Sequence, residues 1–175
     1  MMQHALVPIL GFAAASGTGK TTLLEQIIPI LKAQGLRVGL IKHSHHNVQI
    51  DQPGKDSFRL RAAGATPVML SSAHRRVMIS EFTAFHEPNL FEELSFFDQS
   101  QVDLILVEGF KLASFPKIEL LREALNRPLI YPNDPNIIAI ATDTELNLPD
   151  RLTHLNINDA MSVANFIIET LMGSK

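Results

Sequence analysis

Ser16-Gly17-Thr18-Gly19-Lys20-Thr21-Thr22 stands between two apolar segments of different character. Residues 9–15, Ile-Leu-Gly-Phe-Ala-Ala-Ala, form the continuous apolar run expected of a strand buried on both faces. Residues 20–34 put Leu23, Leu24, Ile27, Ile28 and Leu31 on one helical face, with Pro29 expected to kink the helix and Gly35 to end it. A glycine-rich turn between strand and helix that ends in Gly-Lys-Thr is a phosphate-binding loop. Its backbone N–H groups and the helix dipole face a polyphosphate. In that arrangement Ser16, Gly17, Thr18, Gly19 and Thr22 line the phosphates, Lys20 reaches the β- and γ-phosphates, and the Thr21 hydroxyl serves Mg2+. The pattern asks for glycine six positions before the lysine, and Ala14 stands there. Alanine is at ease only at negative φ, so the loop entry is expected to be ordinary β backbone.

Working outward, residues 36–42 and 102–107 are predicted strands, followed by 117–121 and 137–141. Helices are predicted over the end of 56–63, over 89–97 and over 159–172. Residues 67–71 and 77–82 flank a turn and are predicted to form an antiparallel pair added to the main sheet. Strands alternating with helices give an α/β fold, a mainly parallel sheet with helices on both faces and some antiparallel strands. With 175 residues, 46% hydrophobic, the chain is expected to form a single nucleotide-binding domain.

The net charge of −3 argues against a general nucleic-acid binder. The absence of cysteine excludes disulfides, thiol catalysis and cysteine-ligated zinc. No apolar run is long enough for a membrane span, and Met1-Met2-Gln3-His4 lacks the basic start of a signal peptide. A cytoplasmic protein is expected.

The second half of a nucleotide site lies in Val102-Asp-Leu-Ile-Leu-Val-Glu108-Gly109. A buried strand carries Glu108 to its carboxyl end, where a parallel sheet opens its ligand crevice. Glu108 is a candidate Mg2+ ligand, and with Lys20 the candidate catalytic pair; the plainer alternative is a polar strand end. Gly109 is expected to let the backbone approach the γ-phosphate.

Further segments narrow the reading: Gly39-Leu-Ile-Lys42-His43-Ser44-His45-His46, Pro53-Gly54-Lys55-Asp56-Ser57 with Arg59 and Arg61, Ala63-Gly-Ala65, and Asp103 through Lys111. In this order they resemble the MobB family, the molybdopterin-guanine dinucleotide biosynthesis adaptor proteins. The similarity runs through Asp143 and more weakly to the end, and Ala14 is a family trait. The resemblance implies a GTP-binding homodimer with weak GTPase activity, related to the dethiobiotin synthetase and signal-recognition branch of P-loop proteins. It also implies assistance to the partner MobA, which joins GMP to molybdopterin.

Lys42 is placed to reach a terminal phosphate. His43, His45 and His46 can contact phosphate, pterin or a partner, ligate a metal, or remain a solvated loop. Lys55 is a candidate phosphate contact and Asp56 a candidate for the Mg2+ shell, with a helix N-cap as the alternative for Asp56. Only one of Arg59 and Arg61 can face a ligand. Asp143, after the 137–141 strand, is a candidate reader of the guanine N1–H and N2–H2, or a loop cap. Residues 82–97 hold five of the ten phenylalanines, and Phe91, Leu94 and Phe97 are expected on a core face. Two rival functions share the loop. One is a small-molecule kinase or ATP-dependent ligase, the other a metallochaperone GTPase using the histidines. No glutamine or arginine is placed by sequence to orient water, so hydrolysis is expected to be slow.

Overall fold

β1 (Ile9–Ala14) is buried along its whole length, and the sheet is built around it. The computed structural model describes residues 4–44 and 48–173. β1 pairs with β5 (Leu104–Glu108) on one side and β6 (Lys117–Leu121) on the other. β2 (Val38–Lys42) adds beyond β5, and β7 (Ile137–Thr142) then β8 (Thr153–Asn156) beyond β6. The order is β2-β5-β1-β6-β7-β8, and every pairing is parallel. Parallel strands need crossovers, and α1 (Lys20–Ala33) supplies the one from β1 to β2.

Alternate residues of the strands point to opposite faces. Leu10, Phe12 and Ala14 meet Leu106, Ile118 and Ala141 on one face, covered by Leu24, Ile27 and Leu31 of α1 and by Val163 and Ile167 of α4 (Ala160–Ile167). On the other face Ile9, Ile105 and Val107 pack on Leu90 and Leu94 of α3 (Leu90–Phe96) and on Phe110 and Phe115. Leu94 is fully buried, and Phe91 and Phe97 are half-buried against the same cluster, so the expected core face is present. The sheet therefore carries helices on both faces, as the alternation of elements predicts.

Several boundaries move for visible reasons. Leu36 and Arg37 do not begin β2. The Leu36 N–H donates to the Leu31 carbonyl (3.2 Å), and the Arg37 N–H to the Asp103 carboxylate (2.8 Å), which spends them on the turn. α1 runs through Pro29 and ends at Ala33, with Gly35 in the left-handed region (φ 83°). The helix predicted over 159–172 takes Asp159 as N-cap, its carboxylate accepting the Ser162 N–H (3.0 Å), and widens to a π-helix over Ile168–Met172. β8 was not expected: in Thr-His-Leu-Asn only Leu155 is buried, as suits an edge strand.

The chain contacts divide it into two compact units, residues up to 43 with 89 onward, and Ser44–Pro88. The second unit contains α2 (Asp56–Ala62) and a hairpin of β3 (Val68–Ser71) with β4 (Arg76–Ile79). The expectation that this pair extends the main sheet is overturned. β3 and β4 pair only with each other, Val68 opposite Ile79, across a turn closed by the Ser72 N–H and the Arg75 carbonyl (2.9 Å).

Candidate nucleotide-binding site

Residues 16–22 lie where the sequence puts them, between the carboxyl end of β1 and the start of α1. Ala14 is the last residue of β1, paired with Leu120, so the loop entry is ordinary β backbone. Gly17 (φ 82°) and Gly19 (φ 92°) then take left-handed conformations that side chains resist. Gly19 caps α1, and no side chain bonds the first amides of the helix. Such amides, with the helix dipole, suit an anion. The Thr18 hydroxyl donates to the Ala15 carbonyl (2.8 Å) and fastens the loop from inside. Thr21 and Thr22 are exposed in the first turn of α1.

Glu108 ends β5 in register with Phe12 of β1 and Lys42 of β2. Its two oxygens stand 3.5 Å from Lys20 Nζ and 3.3 Å from Lys42 Nζ. Two ammonium groups on one half-buried carboxylate gather the charges that a terminal phosphate and its metal need. Among the described residues no group of three or more histidines and carboxylates is placed to hold a metal. One carboxylate and the Thr21 hydroxyl still fit Mg2+, which takes few protein oxygens and fills its shell with phosphate and water.

His43 donates its N–H to the Glu108 carbonyl (2.8 Å), and its ring lies 4.9 Å from that of Phe110. The glycine at 109 serves this contact. A Cβ there meets the His43 Cβ at 2.7 Å, and φ is 94°. The tight neighbour of Gly109 is thus His43, where the sequence reading looked only to the phosphate. His45 and His46 lie outside the described residues.

Asp143 follows the last residue of β7. Its carboxylate accepts the Glu123 N–H (3.0 Å) and Arg122 Nη1 (3.1 Å), so it caps the short 3-10 turn that starts at Glu123. The Glu123 amide first, and then Arg122, hold it below the usual carboxylate range, against a partial loss of water that acts the other way. Arg122 is the residue sequence reasoning missed. It follows β6, and its Nε donates to the Thr18 carbonyl (3.3 Å), tying the phosphate loop to the end of β7. Its place after a strand adjacent to β1 was a signal, since ligand groups gather at such strand ends.

Lys55 and Asp56 belong to the second unit. The N-cap position there is Lys55, so the N-cap reading of Asp56 is corrected. Asp56 is the first helical residue, in the turn where a negative charge suits the dipole. The hydroxyl of the next residue, Ser57, donates to Asp51 (2.9 Å). Arg61 is committed to Glu81 and lies over the Phe58 ring.

A phosphate loop, a carboxylate at the next strand end and a parallel sheet with helices on both faces define a P-loop NTPase-like protein. The sequence profile of MobB, molybdopterin guanine dinucleotide synthesis protein B, matches residues 9–143. The chain is 46% identical over 170 residues to the molybdopterin-guanine dinucleotide biosynthesis adapter protein of Escherichia coli, covering 97% of this chain and 96% of that one. The counterpart in Haemophilus influenzae is 44% identical, with 92% and 88% covered. The crystal structure of Bacillus subtilis MobB superposes with a TM-score of 0.71 at 26% identity, over 95% of this chain and 99% of that one. The chain belongs to the MobB family.

Proposed function

We propose that the protein is a GTP-binding adapter of molybdopterin-guanine dinucleotide biosynthesis, holding GTP·Mg2+ on residues 16–22 and Glu108. In this reading it acts in the cytoplasm as a homodimer, assists a MobA-type guanylyltransferase, and hydrolyses GTP slowly. The observation that carries the nucleotide half is the Lys20–Glu108–Lys42 cluster, with 3.5 and 3.3 Å contacts, beside the uncapped start of α1. Lys20 and Lys42 balance the terminal phosphate, and Thr21 and Glu108 hold the metal. His43 is a further phosphate contact in this reading. The adapter half rests on family membership and on what its relatives are named for.

Guanine in place of adenine is assigned to Asp143. A carboxylate offers about four lone-pair directions, and Arg122 and Glu123 take one each. Those remaining can accept N1–H and N2–H2 of guanine, whereas adenine presents an acceptor at N1 and leaves the carboxylate unpaired. The test is competition between GTP and ATP for the purified protein. GTP is expected to bind at least about tenfold tighter, and Asp143→Ala to erase that preference at the cost of one or two charged hydrogen bonds. Equal affinities in the unaltered protein would sink the assignment.

A further inference from the structure

A cavity of about 430 Å3 opens beside the phosphate loop, on the face of β6 turned away from α1. Its volume falls among small-molecule sites, which span roughly 300–1,000 Å3. One wall is the outer flank of the loop, Ala15, Ser16 and Thr18. The floor is apolar, with Leu121, Leu125 and Ile130. Three cations reach it: Lys111 just past β5, Arg122 just past β6, and Arg127 on the turn beyond. Lys111 and Arg127 have no ion-pair partner among the described residues.

The cavity is held open by bonds that do not depend on a ligand. Arg122 anchors the near end of its outer wall to the Thr18 carbonyl (3.3 Å) and to Asp143 (3.1 Å). Glu119 anchors the far end, accepting the Ile130 N–H (2.7 Å) and the Tyr131 N–H (2.9 Å). Glu119 is the one acid of the lining, and it is 1% exposed with both oxygens turned to these amides. With Arg122 balanced by Asp143, Lys111 and Arg127 leave the surface a ligand meets positive. A smaller cavity of about 120 Å3 lies on the other flank of the loop, toward α1, between Gly19, Gln26 and Asn158. Arg122 lines both cavities, whereas Lys111 and Arg127 line only the larger.

We propose that the 430 Å3 cavity is a second ligand site, separate from the nucleotide, for a small organic phosphate monoester. Its phosphate is held by Lys111, Arg122 and Arg127, and its body rests on Leu121, Leu125 and Ile130. The guanidinium fork of Arg127, the ammonium of Lys111 and the N–H groups that Arg122 does not spend on Thr18 and Asp143 suit a phosphate dianion, and the apolar floor asks for a flat or hydrophobic body rather than free inorganic phosphate.

The test is calorimetry with 4-methylumbelliferyl phosphate as probe and uncharged 4-methylumbelliferone as its control, each titrated without nucleotide and with saturating GTP·Mg2+. The phosphate probe is expected to bind once per chain under both conditions, and the control at least about tenfold more weakly, as loss of a charge-assisted contact implies. The double variant Lys111→Ala with Arg127→Ala is expected to weaken the probe by about tenfold or more while its GTP affinity and melting temperature stay unchanged. Loss of probe binding when GTP is added would overturn the proposal, because the phosphate loop alone would then explain it. So would equal binding of both probes, equal binding by the double variant, or no binding at all. GTP binding is measured in the same series, so the nucleotide reading stands or falls independently.

Discussion

Glu119 shows what a single buried charge does in this sheet. Burial pushes its carboxyl above the usual glutamate range, more than the Ile130 and Tyr131 amides pull it down, and nearby Asp134 adds in the same direction. Asp134 behaves oppositely: loss of water acts to raise it, but Lys117 Nζ at 2.9 Å and the Asn136 amides outweigh that and hold it low. For Glu119 the sign follows from linkage. A raised folded value means that the stabilising contribution is full below the ordinary glutamate range and is lost as pH rises through the folded value. Glu119→Gln is expected to flatten that fall, in urea midpoints measured across this window. It is also expected to cost about 1–3 kcal/mol at neutral pH, because a single amide oxygen leaves one of the two N–H groups poorly paired. An unchanged pH slope would show that Glu119 does not titrate differently in the folded state. Such roles were not legible in the sequence. Glu119 reads there as one polar residue in a strand, and Arg122 as a strand end. What each does depends on residues far along the chain, Glu119 on Ile130 and Arg122 on Thr18 and Asp143. The placement of Lys20, Glu108 and the loop glycines was legible because it is set by local backbone and spacing.

At the scale of elements, α1 combines a strong face with a weak link. Leu23, Leu24, Ile27 and Leu31 are buried, while Pro29 lies exposed inside the helix. Proline has no N–H for the carbonyl four residues back and its ring crowds that carbonyl, costing about 3 kcal/mol in a helix interior. The buried face holds the helix together regardless, which is why α1 continues through it. Pro29→Ala is expected to raise stability by about 1–3 kcal/mol, read as a shift of the urea midpoint at constant slope. A loss of stability would mean that Pro29 is needed to seat Ile27 and Leu31. Elements with near-continuous apolar runs, β1, β5 and β7, were readable from the sequence pattern alone. β8 was not, since one buried leucine gives no period. The separate sheet of β3 and β4 was not either, because pairing between strands is a tertiary choice that local pattern leaves open.

At the scale of the whole molecule, burial is unequally shared. No residue from 48 to 88 is buried, whereas β1, β5 and β6 are buried almost throughout. Leu60, Met69, Leu70, Met78, Phe82 and Phe85 stand exposed in the second unit. Local opening costs least where few apolar contacts are broken, and central strands open only with global unfolding. Amides of β3 and β4 are therefore expected to exchange with solvent far faster than those of β1 and β5 in native-state hydrogen exchange at dilute protein. The proposed homodimer makes the comparison sharper. If a second copy covers the hairpin, its protection rises with protein concentration in step with the dimer fraction from sedimentation equilibrium, by mass action. The central strands show no such dependence until their exchange also requires dissociation. Hairpin amides as slow as those of β1 at a concentration where the protein sediments as a monomer would refute the expectation. They would mean that the second unit draws its stability from within the chain, and not from a partner.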